Sequence, residues 1–384
     1  MSSRYLFFTN ECVGLGHLRR ALALARAVTE HDPDASALIV TGAPVELAHP
    51  LPPRVDTVKL PLLARDASGV HRAGRLGLDP PAVRAMRSQL ALVAAQSFAP
   101  HVAVVDKAPL GLGGELAPAL EWLRRAGTTL ALGLRDIEDE PRSVRREWDR
   151  PQVRGALERL YDAVLVYGPE GADLHALACL DWEPDLPVHH VGWVASRPTA
   201  MPTGLPDEYV LVTAGGGADG ADMMGAFLDA VRLEPLPVAS LVVTGPLMPE
   251  AAVRSLRARA ASLDVVVETF MTSLDGAIAA ARGVVAMAGY NTVSELLRSG
   301  RPALLVPRTR PSREQVLRAE LLRATGRAQV LYPHELDAQR MRTSLERLLA
   351  TAPHPEEDDH NGARRASEVL ATIRRAGVEL AEAS

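Results

Sequence analysis

The sequence predicts an α/β protein built from two doubly wound, Rossmann-like domains facing across a cleft. Three observations carry this expectation. Short β-rich runs alternate with helical patterns almost from end to end. The chain has 384 residues, too many for one ordinary core. A proline- and glycine-rich stretch at 184–206 interrupts the alternation, which then starts again.

In the first half, strands are expected at 5–9, 37–41, 102–106, 128–134 and 163–167. Each is a short run rich in Val, Leu, Ile, Phe or Tyr, as strands buried on both faces read. Helices are expected at 18–29, 82–97, 116–125 and 150–161. The first of these places Leu18, Leu22, Ala25 and Arg26 at helical spacing. Arg142, Arg145 and Arg146 suit a solvated helix face.

The second half repeats the pattern. Strands are expected at 209–213, 240–244, 265–268, 284–287 and 303–306, and helices at 223–231, 251–261 and 274–281. A further helix follows the turn at Ala288-Gly289, with Asn291 or Thr292 as its N-cap and Glu295 in its first turn. Gly300-Arg301-Pro302 ends that helix. A polar connector at 354–360 leads to a terminal helix at 363–383. The domains are therefore expected at 1–195 and 206–355, with a C-terminal helix at 360–384.

The composition sets bounds. Hydrophobic residues make up 47%, as in a globular protein, and no apolar run reaches the ~20 residues of a membrane helix. A net charge of −5 gives nucleic-acid binding no support. The N-terminus lacks a signal-peptide pattern, so a cytoplasmic protein is expected. Cys12 and Cys179 are far apart, which argues against a disulfide framework or a metal cluster. Acidic runs at 32–34 and 136–139 look superficially like carboxylate metal motifs, but no His or Cys cluster supports them. Lys59 and Lys107 are the only lysines.

The residues from 288 to 320 are the most informative. Backbone N–H groups at the turn before a helix, with the helix dipole, form a site suited to a diphosphate. Gly289, Tyr290, Asn291 and Thr292 occupy that turn. Glu295 can then accept hydrogen bonds from both hydroxyls of a ribose. A loop after Pro307 carries Arg308, Arg310, Arg313 and Gln315, a polar third subsite. Phosphate, ribose and polar subsites in a row suggest a nucleotide-sugar.

Three further constellations stand at strand ends. The loop N-E-C-V-G-L-G-H follows the first strand, with Gly14 and Gly16 permitting a tight turn and His17 at the start of the next helix. His17 suits a general base or a diphosphate contact, its alternative being a structural cap. Gly215, Gly216 and Gly217 follow a strand and precede a helix, and can cradle a phosphate or admit a sugar. Asp106-Lys107 and Arg135-Asp136 end two first-domain strands. Asp106 or Asp136 is a second candidate base, and Lys107 or Arg135 a candidate for holding an acceptor anion. A mutual salt-bridge network is the alternative.

The segment from 270 to 315 resembles the donor-binding segment of MurG-like (family 28-type) nucleotide-sugar glycosyltransferases, of the two-domain GT-B class. The V-D-K-x-P-x-G and G-L-R-D-I segments at 105–111 and 133–137 resemble a branch of predicted glycosyltransferases. The resemblance implies that Glu295 holds the ribose and that Gln315, just after Arg313, meets donor-sugar hydroxyls. It implies that Phe270, Met271 and Leu274 surround a uracil. Many members have two successive Gln residues where this chain has Glu314-Gln315.

The implied activity is metal-independent transfer of a sugar from a UDP-sugar to a small-molecule acceptor, in natural-product or cell-envelope biosynthesis. An aminocyclitol or amino-sugar acceptor would place it in antibiotic biosynthesis. No cofactor is expected beyond the UDP-sugar substrate, and no nucleic acid. Leu62, Leu63 and Val70 beside Arg65, Arg72 and Arg75 leave a peripheral membrane contact open. Either a monomer or a homodimer fits. The rival readings are a sugar-nucleotide hydrolase with His17 activating water, a nucleotide-sugar 2-epimerase, and a non-catalytic nucleotide-sugar-binding protein.

Overall fold

A computed structural model describes residues 2–9, 15–43, 51–65, 71–73, 76–172, 174–195, 203–217, 219–271, 274–355 and 361–382. Gly14, Cys12 and Val70, and Pro198 and Pro202 of the interrupting stretch, lie outside the described residues. The chain divides into two compact units, one of residues 1–196 with 359–384, the other of residues 197–358.

The first unit holds a seven-stranded parallel sheet. Its strands are β1 (Arg4–Phe8), β2 (Ser36–Thr41), β3 (Val55–Lys59), β6 (Val102–Asp106), β7 (Thr129–Arg135), β8 (Ala163–Tyr167) and β9 (Val188–His190). The spatial order is β3-β2-β1-β6-β7-β8-β9. A separate antiparallel pair joins β4 (Leu63–Arg65) to β5 (His71–Ala73). Every residue of β6, β7 and β8 is buried, whereas β3 and β9 at the two edges are partly exposed. Apolar runs therefore mark the centre of the sheet, where helices cover both faces.

Helix α1 (Gly16–His31) follows β1, and α2 (Pro80–Phe98) precedes β6. Asp79 caps α2 by accepting the Ala82 N–H at 2.8 Å, with prolines at the next two positions. Helices α3 (Ala117–Arg125), α4 (Pro141–Trp148) and α5 (Pro151–Leu160) complete the run. A buried ion pair ties α2 to the start of α3: Arg87 donates to Glu115 at 3.1 Å and to the Pro61 carbonyl at 2.8 Å.

The second unit holds a six-stranded parallel sheet of β10 (Tyr209–Thr213), β11 (Ala239–Val243), β12 (Val265–Glu268), β13 (Gly283–Ala286), β14 (Ala303–Leu305) and β15 (Gln329–Val330). The order is β12-β11-β10-β13-β14-β15. Helices α6 (Ala221–Leu233), α7 (Glu250–Ala260), α8 (Leu274–Ala280), α9 (Tyr290–Ser299), α10 (Glu314–Ala324) and α11 (Ala338–Ala350) lie between and after the strands. The last helix, α12 (Gly362–Glu382), belongs to the first unit and packs on α1. Its Arg374 donates to the Ser3 hydroxyl beside β1.

Two sequence readings need correction. The stretch at 184–206 is not linker throughout, because β9 falls inside it and pairs with β8. Pro187, just before β9, needs no N–H there, and its carbonyl accepts the Val164 N–H at 2.8 Å. The N-cap of α9 is Gly289, in extended conformation, and neither Asn291 nor Thr292. Glu295 therefore falls in the second turn of α9, not the first.

Candidate active site

In both sheets the strand order reverses beside the first strand of the unit, between β1 and β6 and between β10 and β13. Open parallel sheets bind ligands beyond the strand carboxyl ends at such a point. The candidate residues concentrate there. His17 follows β1, and Asp106 is the last residue of β6. Gly215–217 follow β10, and Ala288-Gly289 follow β13.

In the first unit, His17 Nδ1 lies 2.7 Å from Asp106 Oδ2. Arg20, one turn along α1, donates to the same oxygen at 2.7 Å, and its Nη2 lies 2.9 Å from His17 Nδ1. Burial works against ionisation of Asp106, but the Arg20 charge and the His17 ring outweigh it and hold the pKa well below the usual carboxylate range. Nδ1 thus faces both an acceptor, the Asp106 carboxylate, and a donor, Arg20; in the tautomer that carries its hydrogen on Nδ1, that hydrogen goes to Asp106, which only accepts when ionised. Nε2 is then the acceptor nitrogen. The His17 side chain is 16% exposed and the Asp106 side chain 8%, so the partner is buried and the ring reaches solvent.

Arg20 was not singled out in the sequence. The signal lay in the spacing, since residues three apart on a helix share a face. Its guanidinium also sits over the Tyr167 ring, 5.9 Å from the centroid. Tyr167 in turn needs Gly133 on β7, where a Cβ would stand 2.0 Å from the phenolic oxygen.

At Arg135 the salt-bridge alternative holds. Arg135 is buried and committed to Glu138, three residues on, with Nη2 to Oε2 at 2.7 Å and its backbone N–H to Oε1 at 3.0 Å. Burial opposes ionisation of Glu138, yet Arg135 and Lys107 prevail and lower its pKa to about 2. Asp136 is buried beneath Gly168, where a Cβ would lie 3.0 Å from the Asp136 Cβ. Of the two candidate carboxylates, Asp106 is the one that meets His17, together with Arg20.

In the second unit the glycines form a backbone cradle. Gly217 has φ +84, and a Cβ there would lie 2.2 Å from the Thr244 carbonyl oxygen. Gly245 has φ +90, and a Cβ there would lie 2.5 Å from the Gly215 carbonyl oxygen. Only glycine meets both demands. The Leu247 N–H holds the Gly216 carbonyl at 2.9 Å. A Cβ on Gly215 would face Thr292 Oγ1 at 3.6 Å, so the loop abuts the first turn of α9. The α9 ladder opens with the Val293 N–H to the Gly289 carbonyl at 2.9 Å, leaving the preceding first-turn N–H groups outside the ladder.

Arg318, buried on α10, donates to the Ala288 carbonyl at 3.0 Å and lies over the Tyr290 ring at 5.8 Å. It anchors the turn before α9, and its sequence context gave no hint of this. Glu295 is buried in the second turn. Gln315 Oε1 accepts the Arg308 N–H at 3.0 Å, which directs the amide NH2 elsewhere. The Arg308 guanidinium is shared between Asp219 at 3.4 Å and Glu314 at 3.2 Å, so two carboxylates offset its charge. Arg313 is the N-cap residue of α10. Phe270 is 43% exposed just beyond β12, with Met271 and Leu274 partly buried after it.

The comparisons with known proteins concern these same segments. Residues 210–373 match the glycosyltransferase family 28 C-terminal domain. Over 163 residues the chain is 34% identical to the UDP-N-acetylglucosamine--N-acetylmuramyl-(pentapeptide) pyrophosphoryl-undecaprenol N-acetylglucosamine transferase of Sinorhizobium medicae, covering 41% of this chain and 43% of that protein. The protein of the same name from a Methylobacterium strain is 33% identical over 160 residues, 40% of this chain and 43% of its own length. The chain thus matches less than half the length of these relatives.

Among solved structures, the calicheamicin glycosyltransferase CalG4 superposes with a TM-score of 0.59 at 18% identity, covering 100% of this chain and 98% of that one. Acinetobacter baumannii MurG gives 0.57 at 13% identity, covering 97% and 99%. The chain shares the GT-B fold of these structures. Among the described residues, no helix is long and apolar enough to cross a membrane.

Proposed function

We propose that the protein transfers the sugar of a UDP-sugar to a small-molecule acceptor, without a metal or cofactor. One observation carries the reading: at the reversal point of the second sheet, the Gly215–217 loop meets the first turn of α9 and builds an anion cradle from backbone alone. The matched family domain spans this cradle. The first turn of α9 holds the diphosphate, Glu295 the ribose, the region of Phe270 and Met271 the base, and Gln315 the sugar hydroxyls.

In the first unit His17 is the general base. Its Nε2 takes the proton of the acceptor hydroxyl or amine while the acceptor atom bonds to the anomeric carbon. The bond from that carbon to the diphosphate oxygen breaks, and UDP leaves with the electron pair. Asp106 holds the ring in the base-competent tautomer and stabilises the imidazolium that forms. The α9 dipole and first-turn N–H groups stabilise the charge developing on the diphosphate. The acceptor belongs to natural-product or cell-envelope biosynthesis, and the reaction takes place in the cytoplasm.

The test is a thermal-shift screen of nucleoside diphosphates and their sugars, followed by mass analysis of products with a set of acceptors. UDP stabilisation and an acceptor-dependent glycoside support the reading. Free sugar at the same rate with and without every acceptor assigns hydrolysis instead. No stabilisation by any nucleotide overturns it.

A further inference from the structure

Six charged side chains gather at the carboxyl ends of β6 and β7 and in α1: Arg20, Asp106, Lys107, Arg135, Asp136 and Glu138. Five are buried. Lys107 is the one whose side chain reaches solvent, at 37% exposure. Among the described charged groups at this end of the sheet, the one that meets a ligand from solvent is therefore an ammonium.

That ammonium is weakly held. Its ion pair with Glu138 is 3.5 Å long, and Arg135 already takes both Glu138 oxygens at closer range. By contrast, Lys59 Nζ donates to the carbonyls of Gly42 at 2.8 Å and Leu60 at 2.6 Å. Lys107 also stands at φ +73, a left-handed conformation that costs a side-chain-bearing residue free energy. The turn is fixed by the Lys107 N–H to the Gly133 carbonyl at 2.7 Å and the Ala108 N–H to the Asp106 carbonyl at 3.0 Å. Glycine would hold this turn without strain. The side chain that tolerates the strain is the neighbour of Asp106, which orients His17.

We infer that Lys107 recognises an anionic group, carboxylate or phosphate, carried by the acceptor next to the hydroxyl or amine that His17 deprotonates. The inference rests on the glycosyltransfer reading above and narrows its acceptor to an acid. Lysine suits the task as a point charge on a flexible stem.

The chain's two lysines make the test direct. Protein labelled with 13C at lysine Cε gives two signals, and Lys107→Gly identifies one of them by its loss. With the donor site filled by saturating UDP, inorganic phosphate and acetate are titrated in turn against chloride at matched ionic strength. The Lys107 signal shifts saturably with phosphate, acetate or both, while Lys59 stays fixed; phosphate and acetate together tell which anion is preferred. A Lys107 signal that fails to saturate, follows Lys59, or responds equally to chloride overturns the inference. Lys107→Gly keeps its UDP-induced thermal shift and melts no lower than the wild type, so a lost response is not unfolding. In transfer assays with acceptors offered as matched acid and amide forms, the wild type favours the acid at least tenfold in kcat/KM. Lys107→Gly brings the acid down to the level of the amide. An amide preference in the wild type overturns the assignment, whereas absence of UDP stabilisation strikes at the donor reading instead.

Discussion

His17 and Asp106 meet at 2.7 Å although 89 residues separate them. The contact follows from topology. β1 pairs with β6, so the residues following one strand and ending the other stand side by side. No local pattern in the sequence could bring them together. Arg20 completes the arrangement by donating to the same carboxylate oxygen from the next turn of α1.

The dyad leads to a kinetic expectation. If His17 is the base, His17→Ala should lower turnover by about 10²–10⁴-fold with little change in UDP affinity, because the proposed UDP contacts lie in the other unit. Asp106→Asn also lowers turnover, since an amide can turn its NH2 toward Nδ1 and leave the wrong tautomer. Initial rates and UDP titrations by calorimetry check both. Near-normal turnover of His17→Ala removes it from the reaction. Asp106→Ala is the poorer variant, because it leaves the Arg20 guanidinium buried without its carboxylate.

Gly217→Ala tests the cradle. The added Cβ would lie 2.2 Å from the Thr244 carbonyl oxygen, at a backbone φ of +84. The loop must move, costing on the order of 1–3 kcal/mol of stability. UDP affinity should fall with it. Gly114→Ala is the control: φ is +84 there too, but nothing stands within 4 Å of the new Cβ. It should cost about 1 kcal/mol from backbone strain alone and leave UDP binding intact. Urea unfolding and UDP titration of both variants measure the difference. Equal losses in the two would mean that the close approach at Gly217 is not what holds the loop.

Sequence pattern made the sheet centres legible because β6, β7, β8, β10 and β13 are buried on both faces and read as apolar runs. Among the edge strands it found β12 at 265–268 but missed β3, β9 and β15. Strand β9 is three residues, Val-His-His, and β15 is two, both too short and polar to show a period. Helix α10 was read as a loop carrying Gln315, although Arg318 and Ala319 on it are fully buried. Residue type and position made His17, Asp106 and Lys107, at or after strand ends, and Glu295, within the helix after Gly289, candidates for the site. Which carboxylate joins the histidine was not legible, because it depends on strand order. At Arg135 the salt-bridge alternative holds for a local reason: Glu138 sits three residues on, across a tight turn, and takes its guanidinium.

The buried carboxylates set a pH response. Glu138 has a folded pKa of about 2 against an ordinary value of 4.5. A depressed folded pKa contributes stability that is full above the unfolded value and is lost as pH falls through the folded one. Glu138 therefore contributes on the order of 3 kcal/mol at neutral pH, fading between about 4.5 and about 2. Asp106 acts in the same direction. Glu138→Gln should be less stable than the wild type at pH 7, with the gap closing as acid is added. Denaturant unfolding of both proteins across this range reads the gap, and a constant gap down to the lowest pH would reject the assignment.

The last expectation concerns the nucleotide. Because α9 starts at Tyr290, Glu295 lies five residues along it, about 7–8 Å from the helix start at 1.5 Å per residue. That separation matches a diphosphate on the helix N-terminus with its ribose one turn further on. Glu295 is buried, so a hydrogen bond to its carboxylate forms away from competing water. UDP carries the ribose 2′-hydroxyl and thymidine diphosphate lacks it. The missing charge-assisted bond should weaken thymidine diphosphate by roughly 1.5–3 kcal/mol, about ten- to a hundredfold. Uracil and thymine also differ by a methyl group, so 2′-deoxy-UDP is the stricter comparison. Glu295→Gln should narrow the difference between UDP and its 2′-deoxy form while leaving diphosphate binding in place. Calorimetric titration of the three nucleotides into both proteins decides it, and equal wild-type affinity for UDP and 2′-deoxy-UDP would remove Glu295 from the ribose.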